Sequence, residues 1–466
     1  MNAPRLVVAA PRGRSGKTTV AIGLVAALAA RGLTVQPYKK GPDYIDAGWL
    51  GEAAGRPCRN LDLFMMSADA ALSAFRRGMA GAEVAVVEGA MGLYDGVDLE
   101  GTGSTAQLAR LLSAPILLVV DATRMTRSVA ALVGGFQHFE SGVDVAGVVL
   151  NNVARPRHEE MLVRSIEHYC GIPVLGCIPR DEFLAIPDRH LGLVPVGEER
   201  RLARVIEKAR TMAVERLNLE QILGIARSAP EMPSGEVVPL AARVGSARIA
   251  VLRDRVFTFY YPENLEALEE AGASLQYVDS LADPTLPEVD GLYIGGGFPE
   301  LFMDQLEANG SLRRDIRRRI DVGLPVYAEC AGLIYLSRRV RWQGRSSEMV
   351  GALPCEIEMT GKPQGHGYAV AEVVEDTPFF RSGDRLNGHE FHNTRVSMLD
   401  GGTARFAYRL RRGSGIDADH NDGLMVGSVL AAYTHLHASG APGWAEGFVA
   451  TAASYQRRRQ SSGDGR

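Results

Sequence analysis

The feature that most constrains this chain lies at its start. A short apolar run, Leu6–Ala10, empties into Pro11-Arg12-Gly13-Arg14-Ser15-Gly16-Lys17-Thr18-Thr19, and a helical stretch follows from Thr18 to Ala30. A glycine-rich turn that opens a helix aims backbone N–H groups at an anion, and the helix dipole adds to that field. Gly13, Ser15, Gly16 and Thr19 line the turn and the first helical positions. Lys17 would reach the β- and γ-phosphates of a nucleotide, and the Thr18 hydroxyl would sit on Mg2+. Pro11 stands where the G-x-x-x-x-G-K-[ST] pattern has its first glycine. The strand–loop–helix context carries the reading.

Further short β-branched runs follow at Val84–Val87, Ile116–Val120 and Val148–Leu150, separated by helical stretches. This alternation implies a parallel sheet with helices on both faces. Pro, Gly and Ser break the pattern at 228–246, which reads as a linker. Strand-like segments restart at Arg248–Leu252, Gly291–Ile294 and Leu324–Tyr327, with a helical stretch at Pro262–Ala271. With 466 residues, two α/β domains at 1–227 and 247–455 are expected, with 456–466 as a flexible tail. Arg317-Arg318-Arg319 reads as the solvated face of a helix, and Arg457-Arg458-Arg459 as a frayed end.

A net charge of -4 gives no reason to expect nucleic acid or an acidic membrane as partner. The five scattered cysteines lack C-x-x-C spacing, which argues against a disulfide framework or a structural zinc site. No stretch approaches the length of a membrane span, so a cytoplasmic protein is expected. The oligomeric state stays open, a homodimer included.

A nucleotide site needs acids. Lys39-Lys40-Gly41-Pro42-Asp43-Tyr44-Ile45-Asp46 reads as a charged loop, and in Val86-Val87-Glu88-Gly89 a carboxylate ends an apolar strand. Ligands of open α/β sheets bind at the carboxyl ends of strands. Mg2+ takes one or two carboxylates plus phosphate oxygens, so Glu88, Asp43 and Thr18 are the metal candidates. Asp46 and Asp95 lie in the same two loops.

In the second half, Val326-Tyr327-Ala328-Glu329-Cys330-Ala331-Gly332-Leu333 sets a cysteine between a strand and a helix, the arrangement of a nucleophile elbow. His435, in Tyr433-Thr434-His435-Leu436-His437, could activate it across space. Gly295-Gly296-Gly297 follows a strand, and Gly296 and Gly297 could offer N–H groups to an oxyanion.

The segments APRGRSGKTT, KKGPDYID, VVEGAMGLYDG and PRDEFLAIPDRHLGLVP (Pro179–Pro195) together resemble the cobyrinate a,c-diamide synthases. The resemblance covers nearly the whole chain. It implies a first domain similar to dethiobiotin synthetase and MinD-type ATPases. There Gly16, Lys17, Thr18 and Thr19 would bind phosphate, Asp43, Asp46, Glu88 and Asp95 the metal or substrate carboxylate, and Asn151, late in a strand, would face the adenine. Arg14 departs from the family, which more often has a small residue there. The second half resembles class I glutamine amidotransferase domains of the cobyric-acid-synthase branch. That implies Cys330 as the nucleophile and His435 as its base. Where relatives of other branches place an acid two residues after the histidine, this chain has His437, so a Cys–His dyad is expected. Glu390 and His392 also match the branch and would help hold the site.

The expected activity is ATP- and glutamine-dependent amidation of the a and c acetates of a tetrapyrrole. ATP, glutamine and Mg2+ serve as co-substrates and cofactor, and cobyrinate or hydrogenobyrinate as the acceptor. Lys39-Lys40-Gly41-Pro42-Asp43 with Trp49-Leu50 also resembles the branch acting on sirohaem or nickel-sirohydrochlorin. A MinD/ParA-like switch with an inert second domain is the reading from another class. It would call for a membrane helix or a DNA-binding surface, and the presence of Cys330 and His435 speaks against it.

Overall fold

The protein is described from a computed structural model, covering residues 3–180, 188–189, 192–193, 199–232, 235, 237–399 and 405–463. Most of the family-like segment 179–195 lies outside these residues. The chain divides into two units, Met1–Val238 and Pro239–Arg466. The division falls inside the stretch read as a linker. Ala229 and Met232 are buried in the first unit and Ala241 in the second, so the stretch is held down on both sides of the division.

The first unit is built on seven strands: β1 (Arg5–Ala9), β2 (Val35–Lys40), β3 (Arg59–Leu61), β4 (Val84–Glu88), β5 (Ile116–Asp121), β6 (Val145–Val153) and β7 (Val174–Pro179). They lie in the order β3-β2-β4-β1-β5-β6-β7, every neighbouring pair parallel. Alternate residues feed two separate cores, as a strand's period of two requires. Leu6, Val8, Val84, Val86, Leu117 and Val119 pack on one face, with α1 (Lys17–Ala30), α2 (Tyr44–Ala54) and the helices Glu199–Arg216 and Leu219–Arg227. Val7, Ala9, Ala85, Val87, Leu118 and Val120 pack on the other. Each such Val, Leu or Ile stabilises the unit by roughly 1.5–3 kcal/mol on burial. Both faces are covered, which is why these strands read as continuous apolar runs. Lys39 and Lys40, read as part of a charged loop, are instead the last two residues of β2, and both are buried.

The second unit carries a ten-stranded mixed sheet. Its parallel half runs Ala273–Val278, Ala247–Leu252, Gly291–Ile294, Val326–Glu329 and Val429–Ala432. It continues antiparallel through Asn421–Val426, Arg405–Arg412, Gly365–Val373, Arg385–His392 and His435–Leu436. The strand expected at Leu324–Tyr327 lies two residues later, at Val326–Glu329. Leu324 N still bonds the carbonyl of Arg319 in the preceding helix, and Pro325 has no N–H to give a ladder. The shift makes Glu329 the last strand residue before Cys330.

The tail reading is corrected. The helix Trp444–Gly463 continues past residue 455, and Arg459 donates to Glu288 Oε1 at 2.6 Å and to the Val289 carbonyl at 3.3 Å. Within the helix Gly310–Asp321, Arg318 is exposed, whereas Arg319 donates to the Leu286 carbonyl at 2.7 Å. Among the described residues no helix is long and apolar enough to cross a membrane.

Candidate functional site

In the first unit the loop between β1 and α1 is shaped by glycine at one position above all. Gly16 caps α1 with φ 92°, and a Cβ there would lie 2.2 Å from Asn151 Nδ2. Only glycine combines that conformation with that approach. Asn151 donates to the Ser15 carbonyl at 3.0 Å, and Ser15 Oγ donates to the Arg12 carbonyl at 3.0 Å. Asn151 is therefore a strut of the loop, tying it to the end of β6. Among the described residues nothing lies within 4 Å of a Cβ built on Gly13, so their packing does not require glycine there. Arg14 holds φ 60°, a conformation few non-glycine residues take.

Lys17 is buried, with Nζ 3.4 Å from the Met91 carbonyl, and burial pushes its ammonium below the ordinary lysine value. Thr18 Oγ1 donates to Glu88 Oε1 at 2.6 Å. Thr19 follows in the same first turn of α1. Lys39, which composition left among loop charges, is the hub of the acids: its Nζ lies 2.5 Å from Asp46 Oδ2 and 3.1 Å from Glu88 Oε1. Burial alone would lower Lys39, but the two carboxylates outweigh it and raise it. The same pairing outweighs burial at Asp46 and holds it below the usual carboxylate range, whereas burial raises Glu88. Asp43 caps α2, its Oδ1 accepting from Ile45 N at 2.7 Å and Asp46 N at 3.0 Å. Burial and the Asp46 charge push it up to about 7.

Asp95 is exposed, and its Oδ2 accepts from Gly92 N at 2.8 Å, bracing the loop after β4. The structure thus brings Lys17, Thr18, Asp43, Asp46 and Glu88 around Lys39, and gives Asp95 a bond within its own loop. Among the described residues, no three His, Cys, Asp or Glu side chains gather to hold a metal. Among those residues Glu88 Oε2 is nevertheless buried without a hydrogen-bond partner, beside the Thr18 hydroxyl. One carboxylate oxygen and one hydroxyl fit Mg2+, whose remaining ligands are commonly phosphate and water.

In the second unit Cys330 joins the strand Val326–Glu329 to the helix Ala331–Leu336 at φ 48°, ψ -96°. A Cβ on Gly332 would lie 2.5 Å from the Ile294 carbonyl, so the helix can lie against the neighbouring strand only with glycine there. The Cys330 thiol sits 3.8 Å from the Phe391 carbonyl. His435 is buried on its short strand, opposite His389, whose ring stacks on it at 4.9 Å between centroids. Burial, followed by the charge of His435, pushes His389 well below the ordinary histidine value. A Cβ on Gly296 would fall 2.6 Å from His435 Cε1, and one on Gly297 would strike the Val256 carbonyl. Of the glycine pair expected at an oxyanion hole, Gly296 therefore lies against the histidine and Gly297 against Val256, both paired with the strand Phe257–Phe259.

Sequence reasoning missed Glu329. Where a two-residue site was expected, a fully buried carboxylate faces the histidine, with Glu329 Oε2 3.3 Å from His435 Nδ1. Burial would lower His435, but its hydrogen bond with the Cys330 thiol and its pairing with Glu329 outweigh that and raise it to about 10. His437 has its own partner, Glu263, at 3.4 Å, and its ring packs tilted against Tyr261 at 4.7 Å between centroids. His392 stacks face to face on Tyr433 at 3.7 Å and lies 3.6 Å from Glu390, which accepts from Gly415 N at 2.9 Å. These residues brace the loops around the thiol. Only the position of Glu329, one residue before the nucleophile, could have flagged it.

A family model described as a CobQ/CobB/MinD/ParA nucleotide binding domain matches residues 6–194. A second, a CobB/CobQ-like glutamine amidotransferase domain, matches 248–442. Together with the fold and the two sites they define an ATP-dependent, glutamine-hydrolysing amidotransferase, a carbon–nitrogen ligase. A relative from Magnetococcus marinus named cobyrinate a,c-diamide synthase is 47% identical, the match covering 95% of this chain and 96% of that one. Proteins of the same name from Methanosarcina acetivorans (41% identical; 93% and 92% covered) and Methanothermobacter thermautotrophicus (42%; 96% and 99%) match as fully. The chain belongs to the cobyrinate a,c-diamide synthase family.

Proposed function

We propose that this enzyme amidates the a and c acetate carboxylates of cobyrinate, or of its metal-free counterpart hydrogenobyrinate, in the cytoplasm. The observation that carries the reading is the near full-length likeness to relatives bearing that name. In the second unit, Cys330 passes its proton to His435 and its sulfur attacks the carboxamide carbon of glutamine. His435 returns the proton to the departing nitrogen, ammonia leaves, and water hydrolyses the γ-glutamyl thioester to glutamate. Backbone N–H groups near Gly296 and Gly297 receive the oxyanion.

In the first unit, the acceptor carboxylate takes the γ-phosphoryl group of ATP, giving an acyl phosphate and ADP. Ammonia then attacks the acyl carbon and phosphate leaves, so each cycle replaces one OH by NH2. Gly13, Ser15, Gly16 and Thr19 cradle the phosphates and Lys17 stabilises the charge that moves between them, while Asn151 keeps the cradle in shape. Mg2+, which Thr18 and Glu88 would hold with Asp43 beside them, would neutralise phosphate charge. Asp46, fixed by Lys39, orients the acceptor. The test is mass spectrometry of cobyrinate, hydrogenobyrinate, sirohaem and nickel-sirohydrochlorin after incubation with ATP, Mg2+ and glutamine. Two successive OH-to-NH2 replacements on the first pair alone are expected. Amidation confined to the second pair would overturn the assignment.

A further inference from the structure

We propose that Glu329 is the positioning residue of the glutaminase site, fixing the His435 ring through Nδ1 and stabilising the imidazolium formed when Cys330 gives up its proton. The proposal rests on the reading of Cys330 and His435 as nucleophile and base.

The geometry carries it. Glu329 and His435 are both buried, and Glu329 Oε2 lies 3.3 Å from His435 Nδ1. The other carboxylate oxygen accepts from Leu436 N at 3.2 Å, so one side chain pins the histidine strand at two consecutive residues. The phenols of Tyr327, 3.1 Å from Oε1, and Tyr293, 3.4 Å from Oε2, complete the shell. A buried carboxylate costs several kcal/mol unless it is paired and hydrogen-bonded. Here three of the four partners are neutral donors, and His435 is the one that can carry the opposite charge. Burial holds both phenols well above the ordinary tyrosine value, so they remain donors. The remaining titratable neighbours are the buried phenols of Tyr260 and Tyr408, Cys330, and the stacked His389, whose own contact is Tyr261 Oη at 3.4 Å from Nδ1. His389 is kept neutral and does not compete for the carboxylate's charge.

The proton balance is simple. With Nδ1–H held by Glu329, Nε2 holds the proton that the thiol has given up, and sulfur bonds to the glutamine carboxamide carbon. Nε2 then delivers that proton to nitrogen as the C–N bond breaks. Glu329 gains no proton at any step.

Glutamate release by Glu329→Gln, Glu329→Asp and Cys330→Ala tests this across a pH series. Glu329→Gln keeps the shape and removes the charge, and kcat/KM should fall about 10²-fold or more, as when an orienting acid of a triad is neutralised. The alkaline limb of the profile reports loss of the His435 imidazolium proton. In Glu329→Gln that limb should move to lower pH. Glu329→Asp retains the charge, so its limb should stay near that of the unmodified enzyme while the rate falls. A folded Glu329→Gln enzyme whose limb does not move overturns the proposal, whatever its rate. If the variants do not fold, 15N-labelled histidine in the unmodified enzyme decides. One ring, lost in His435→Asn, must carry a proton on Nδ1 at pH 8, and a bare Nδ1 there overturns the assignment. Persisting glutamate release in Cys330→Ala would instead overturn the glutaminase reading itself.

Discussion

Lys17 reaches its place by being buried, and burial is what makes its charge consequential. With Nζ near the Met91 carbonyl and Glu88 close by, its ammonium would act on bound phosphate through little intervening water. Lys17→Ala should lower amidation by roughly 10²-fold or more with either glutamine or free ammonia as nitrogen source; full activity in a steady-state assay would remove this loop from the ATP site. His435 allows a prediction about stability. Its folded value, about 10, lies above the unfolded value of 6.5, so the native state binds the extra proton between those pH values. That contribution is fully present below about pH 6.5 and is lost as pH rises toward 10. Thermal midpoints should therefore fall over this window more steeply in the unmodified protein than in His435→Gln. Equal slopes would show that the histidine is not held protonated.

At the scale of elements, both sites hang on turns at strand ends, and in both a glycine sets how closely two pieces of backbone can meet. Gly332 lets the helix Ala331–Leu336 lie against the strand Gly291–Ile294. Gly332→Ala would put a methyl group 2.5 Å from the Ile294 carbonyl, and overpacking of this kind costs about 1–3 kcal/mol. Chemical denaturation should show that loss, and glutamate release should fall because the elbow moves with the helix. The strands and helices around these turns were largely legible. Leu6–Ala10, Gly291–Ile294 and Pro262–Ala271 carry their patterns within a few residues, and the structure has elements at Arg5–Ala9, Gly291–Ile294 and Pro262–Ala271. The strand before Cys330 was displaced because apolar character begins at Leu324, whereas the ladder begins only after Pro325. The final helix read as a tail because its arginines look solvated in sequence, and their anchors, Glu288 and the Val289 carbonyl, lie about 170 residues earlier.

Across the whole molecule, two chemistries sit on two separately packed units, and that division can be tested with one substitution. Cys330→Ser should abolish glutamine-dependent amidation while free ammonia still supports turnover, since the residues proposed for the synthetase step all belong to the first unit. Failure of ammonia to restore product would mean the units do not divide the labour this way. By itself the sequence determined what is local: the phosphate loop, the elbow around Cys330, the alternation that requires a parallel sheet, and the family. These follow from patterns of a few to a few dozen residues, which short-range sterics, capping and periodicity suffice to specify. Only the tertiary structure decided that Lys39 is the buried hub for Asp46 and Glu88, that Asn151 braces Ser15, and that Glu329 faces His435. Each depends on which strands become neighbours, and a charge's partner and desolvation are set by that packing rather than by its place along the chain.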